Sequence, residues 1–78
     1  MASIDLDWAN EDCHPNAEGA AKRTASTFNL KAELAAEDGG GGWPVYRFTG
    51  RREDIVALLG NYEPDDAARA ELIDTIAE

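Results

Sequence analysis

The stretch that most constrains this chain is Gly42 to Leu59, GWPVYRFTGRREDIVALL. It reads as a strand, a tight break and a helix with almost no linker. Residues 43–49, Trp-Pro-Val-Tyr-Arg-Phe-Thr, are mostly aromatic or β-branched and suit a pleated, half-buried surface. Pro44 has no N–H, so it belongs at the strand start or on an unpaired side. Thr49-Gly50 ends the strand. Ile55, Leu58, Leu59 and Tyr62 then recur at the i, i+3, i+4, i+7 spacing of an amphipathic helix. Thr49 or Gly50 is expected to cap that helix, Glu53 and Asp54 lie near its positive N-terminus, and Gly60 is placed to stop it.

The flanks are built around this unit. Residues 3–8 alternate strictly: Ile4, Leu6 and Trp8 would face a core, and Ser3, Asp5 and Asp7 would face water, as in a half-buried strand. Residues 26–35 alternate again, with Ser26, Phe28, Leu30, Ala32 and Leu34 on one face, and are expected to form a second strand. The rival is a helix through Leu30–Glu37, whose Ala, Glu, Lys and Leu have high helix propensity. Glu37 to Gly42 then supplies a flexible hairpin turn. Residues 9–24 hold the turn formers Asn10, Pro15, Asn16 and Gly19, so a loop is expected, with a short helix over Ala17 to Arg23. Gly19 and the lack of large apolar side chains argue against that helix being packed. A last helix is expected from Pro64 at its first position, with Asp65 and Asp66 in the first turn and Ala68, Leu72, Ile73 and Ile76 buried. The expected fold class is α+β: one small domain over residues 1–78, a three-stranded antiparallel sheet in the order β-β-β-α-α, one face covered by the two C-terminal helices.

Composition limits the function classes. A chain of 78 residues sits near the lower limit for a self-supporting core and buries only about 60% of its unfolded surface. Its single Cys13 provides no disulfide, so stability alone favours a dimer or a bound partner. The lone cysteine, with no basic or long apolar stretch at the start, points to the cytoplasm and to no membrane association. Net charge is −9 and unevenly spread. Residues 1–21 carry five acids and no Lys or Arg; residues 22–52 carry six cations against three acids; residues 53–78 carry eight acids and Arg69 alone. Such a chain is repelled by nucleic acid and attracted to basic surfaces. The plainer alternative is solubility, or acidic ends folding back on the basic middle.

Several groups of residues are candidate sites. In strand 43–49, either Tyr46 and Phe48 or Trp43 and Val45 must lie on the uncovered sheet face. Aromatics and Arg are enriched in interfaces, which makes Trp43, Tyr46 and Arg47 candidate partner-binding residues, unless loop 9–24 covers that face. Asp65, Asp66, Glu71 and Asp74 form the second candidate set, because carboxylates spaced along a helix can imitate a phosphate backbone before a basic groove. Their ordinary counterpart is a solvated helix face. Gly39 to Gly42 is followed by a strand, so it suits a hairpin tip rather than a phosphate cradle. Cys13 and His14, beside Glu11, Asp12 and Glu18, offer two of the four N/S ligands of a structural zinc site, and the chain's one histidine is Cys13's own neighbour. No catalytic residue, metal or cofactor is therefore expected. Lys22, Arg23, Arg47, Arg51 and Arg52 could touch nucleic acid, but in so acidic a domain they are expected to pair with Glu53, Asp54 and the acidic ends.

A tiny, acidic, cysteine-poor hairpin-plus-helices chain resembles small phage-encoded anti-defence proteins, including anti-CRISPR proteins. Phe48-Thr49-Gly50-Arg51-Arg52-Glu53-Asp54-Ile55 also resembles a strand–TG–helix junction of small actinobacterial and phage proteins. The resemblance implies a non-catalytic inhibitor that occupies a surface of a host nuclease complex. The alternative expectation is a small homodimeric structural or regulatory module that uses the spare sheet face.

Overall fold

A computed structural model describes residues 1–8, 17–36 and 44–78. The elements are β1 (Ala2–Asp7), α1 (Ala17–Thr27), β2 (Lys31–Ala36), β3 (Val45–Gly50), α2 (Arg52–Tyr62) and α3 (Asp66–Asp74). The three strands form one antiparallel sheet in the order β1-β3-β2, with α2 and α3 following them. The expected α+β class is therefore observed. The last strand in sequence is the central one, so its apolar character matches its position between two neighbours.

The alternation of β1 and β3 is used as the residues dictate. Ala2, Ile4 and Leu6 are buried, as are Tyr46, Phe48 and Gly50, and Ile4 lies opposite Phe48 in the ladder. Asp5, Asp7 and Arg47 point to solvent. Trp8 continues the inner face of β1: its ring lies 5.4 Å from Phe48 and 5.8 Å from Tyr62, centroid to centroid. Ile55, Leu58 and Leu59 of α2 are fully buried against this face. Burial of apolar area here stabilises the fold by about 25 cal/mol for each square ångström removed from water.

Residues 26–35 do not form one strand. α1 extends through Thr27, and β2 begins only at Lys31. Asn29 adopts a left-handed backbone with φ of 58°. Around it, the Leu30 N–H donates to the Ala25 carbonyl at 2.8 Å and the Asn29 N–H to the Ser26 carbonyl at 3.2 Å. This is the paired-bond helix terminus that a left-handed residue closes, and Asn tolerates that conformation better than most side chains. Ser26 and Phe28 thus belong to the helix end, while Leu30 is buried beyond the turn. The helix packs despite lacking large side chains because Ala21 and Ala25, four residues apart, are both buried. Leu30 sits so close to β3 that a Cβ at Gly50 would come within 2.5 Å of its Cδ2 atom.

Helix ends also differ from expectation. Arg51, not Thr49 or Gly50, occupies the N-cap of α2, without a side-chain cap bond; Thr49 and Gly50 remain in the strand. α2 runs past Gly60 to Tyr62, whose hydroxyl donates to the Asp7 carbonyl at 2.7 Å. That tertiary bond and the Trp8 stacking outweigh the cost of about 1 kcal/mol for glycine in a helix interior. α3 starts at Asp66 rather than Pro64, because Asp65 caps it by accepting from the Ala68 N–H at 3.2 Å. Leu72, Ile73 and Ile76 pack against the core but are only partly buried, and Ala68 is half-buried.

Candidate partner-binding surfaces

Two surfaces carry the candidate residues: the open face of the sheet and the outer side of α3. On the sheet, the outward side chains of β3 are Val45, Arg47 and Thr49, flanked by Ser3, Asp5 and Asp7 from β1 and by Lys31 and Glu33 from β2. Arg47 lies directly opposite both Asp5 and Glu33. Its guanidinium grips Asp5 with both arms: Nε donates to Oδ1 at 2.8 Å and an Nη to Oδ2 at 3.2 Å. That hydrogen bond, then the Asp5 charge and a smaller contribution from Glu33, pushes the arginine further above its usual value. Arg47 is thus a neutralised cation in an acid–base–acid row across the sheet.

Tyr46 is placed differently from the sequence expectation. It is buried in the core, only 4% exposed, so it cannot serve as an accessible anchor. The ladder gives Tyr46 and Phe48 the inner face, which leaves polar Arg47 and Thr49 with half-buried Val45 outside. Trp43 lies outside the described residues, as do Gly39 to Gly42 and the Glu11–His14 group.

α3 shows one chemically uniform side. Asp66, Ala67, Ala70, Glu71 and Asp74 are exposed and share the side away from the core, whereas Ala68, Arg69, Leu72 and Ile73 are half-buried. Asp65 and Asp66 are engaged locally: Asp65 caps the helix, and Asp66 pairs with Arg69. Arg69 also donates to the Glu63 carbonyl at 3.1 Å, which ties down the α2–α3 connection. Glu71 and Asp74 make no ion pair among the described residues. They are the uncommitted pair of the four carboxylates proposed from sequence.

The basic middle of the chain is largely spent inside the molecule. Arg51 pairs with Glu53 and Asp54 at 3.4 Å each, Arg52 with Glu78 at 3.0 Å, and Arg47 with Asp5. Of the five cations expected to pair with Glu53, Asp54 and the acidic ends, Arg47, Arg51 and Arg52 do so. Sequence reasoning missed Asp5, which was legible only as a solvent-facing strand residue until the register set it against Arg47. It also missed Leu34, an inward-facing position at the sheet edge that remains 47% exposed.

Among the described residues, no group of three His, Cys, Asp or Glu side chains converges as a metal site would require. No helix among them is long and apolar enough to cross a membrane. Comparison with protein-family models, with curated proteins and with solved structures returns no match to this chain.

Proposed function

We propose that this chain is a non-enzymatic, protein-binding inhibitor that sets its acidic surface against a basic, nucleic-acid-binding surface of a host nuclease complex, in the manner of a phage anti-defence (anti-CRISPR-type) protein. The observation that carries the reading is the outer side of α3, where Glu71 and Asp74 stand exposed with no ion pair among the described residues. Surface carboxylates at this spacing attract a groove built to hold phosphates, and they accelerate encounter with it through long-range steering. The internal pairing of Arg47, Arg51 and Arg52 supports the same reading, because it leaves uncompensated negative charge on the surface. It also weighs against direct nucleic-acid binding. Partner binding through this face acts in the cytoplasm and requires no metal or cofactor.

The test is interference in cells that carry an RNA-guided nuclease complex. Expression of the wild-type protein is expected to protect a targeted plasmid, and the Glu71→Lys/Asp74→Lys variant to lose that protection. Protection undiminished in the charge-reversed variant would remove α3 from the reading, and no protection by the wild type against any complex tried would overturn it. The second reading, a homodimeric module joined through the spare sheet face, loses its driving force in the polar row of Asp5, Arg47 and Glu33.

A further inference from the structure

The two edges of the sheet are treated differently. Ser3 exchanges both backbone bonds with Ala77, each 2.8 Å long, so its amide and carbonyl point away from β3. In an antiparallel ladder, Ala2, Ile4 and Leu6 must then direct theirs into β3, and Tyr46 and Phe48 direct theirs back. Thr49 and Arg47 consequently bond to Lys31 and Glu33 of β2. By the same alternation, the backbone groups of Ala32 and Leu34 are turned off the sheet. Nothing among the described residues pairs with them on that side. The open run is short: the Leu30 N–H is taken by Ala25, and the register shifts between Leu34 and Ala36. A shallow groove along it is lined by Lys22, Leu30, Lys31, Ala32, Glu33 and Thr49.

We propose that this edge pairs antiparallel with the same edge of a second copy, about a two-fold axis through Ala32. The charge pattern selects both the occupant and the register. Lys31 and Glu33 flank Ala32 on the same outer face. The axis at Ala32 sets Lys31 against Glu33 of the second copy and Glu33 against that copy's Lys31. Both contacts are of the non-hydrogen-bonded type, in which facing side chains come closest. Ala32 exchanges both backbone bonds with its counterpart. Moving the axis to Glu33 sets that carboxylate against its own copy and loses both ion pairs. An edge strand with unsatisfied backbone groups is a ready template for such pairing, and joining two copies into one continuous sheet is the closed, two-fold arrangement most oligomers adopt. Each copy carries a net charge of −9, so the association is weak and appears at high concentration. The inference is independent of the inhibitor reading, since it concerns β2 rather than α3 and its test includes no other protein.

The experiment is sedimentation equilibrium from micromolar to millimolar protein, at moderate salt. The wild type is expected to show a monomer–dimer equilibrium. Lys31→Glu and Glu33→Lys should each weaken it by about tenfold or more, since symmetry counts each change twice. The double exchange Lys31→Glu/Glu33→Lys should restore it. Ala32→Pro removes an N–H that points off the sheet, so it should abolish the dimer while the circular dichroism of the fold is retained. A wild type monomeric throughout, or a dimer that the two charge reversals leave unchanged or the double exchange fails to rescue, overturns the proposal; the charge variants decide it even if the proline variant does not fold.

Discussion

α2 and α3 are neighbouring helices of similar length, both with apolar residues recurring at helical spacing, yet they do opposite work. α2 hides Ile55, Leu58 and Leu59 completely and lies across β1 and β3. α3 hides no residue completely and leans mainly on α2. The difference comes from what each helix meets. α2 is joined to the central strand with Arg51 alone between them and faces the sheet's apolar side. α3 packs mainly on α2 and only partly buries Leu72 and Ile73, so its carboxylates can be displayed without desolvation. One helix holds the fold, and the other keeps its acidic side in solvent.

The contrast is sharpest in truncation. Leu58→Ala should cost about 2–5 kcal/mol of unfolding free energy, the range for buried leucines, and Leu72→Ala no more than about half of that. Denaturant melts of the two variants measure the gap, and equal losses would show that α3 is as structural as α2. Tyr62, at the end of α2, gives the next effect. Tyr62→Phe leaves the Asp7 carbonyl without its partner and should cost about 1–2 kcal/mol. Burial, then the charges of Asp7 and Glu63, hold the Tyr62 phenol above its ordinary value. The unfolded chain therefore loses this proton first as pH rises. Stability from this group is full below the ordinary tyrosine value of about 10 and falls as pH climbs from there through the folded value. The difference between wild type and Tyr62→Phe, followed by melts across that alkaline range, should shrink. The smallest effect is a gain. A Cβ at Gly60 would meet no atom within 4 Å, so Gly60→Ala should add about 0.5–1 kcal/mol by improving helix propensity alone.

The legible and illegible parts of the sequence separate along physical lines. β1, β3 and α2 could be read directly because each carries a period over its whole length, with Ile4, Leu6, Tyr46, Phe48, Ile55, Leu58 and Leu59 in phase. The α1–β2 boundary could not, because Phe28, Leu30, Ala32 and Leu34 keep an even spacing through two different structures. The one signal there was Asn29, a residue suited to the left-handed position that reverses the chain. The packing of α1 was hidden for a different reason: its contact is made by Ala21 and Ala25, whose small size carries little hydrophobic signal yet permits close approach. At the candidate site, sequence spacing found the carboxylates of α3 but could not tell a cap such as Asp65 or a paired acid such as Asp66 from Glu71 and Asp74, which make no ion pair among the described residues. Nor could it assign the faces of β3, since that needed the register against β1, which moves Tyr46 from surface to core.

The strand order β1-β3-β2 has a consequence in time as well as in space. β1 precedes α1 and β2 in the chain, yet its ladder partner among the described residues follows both, so this ladder cannot form until Val45–Gly50 exists. Its loop-closure cost must be met before any of its bonds form. Ser3 waits longer still, for Ala77 beyond α3. Until that ladder forms, the exposed Asp5 and Asp7 place charge along β1 of the kind that discourages pairing with other strands.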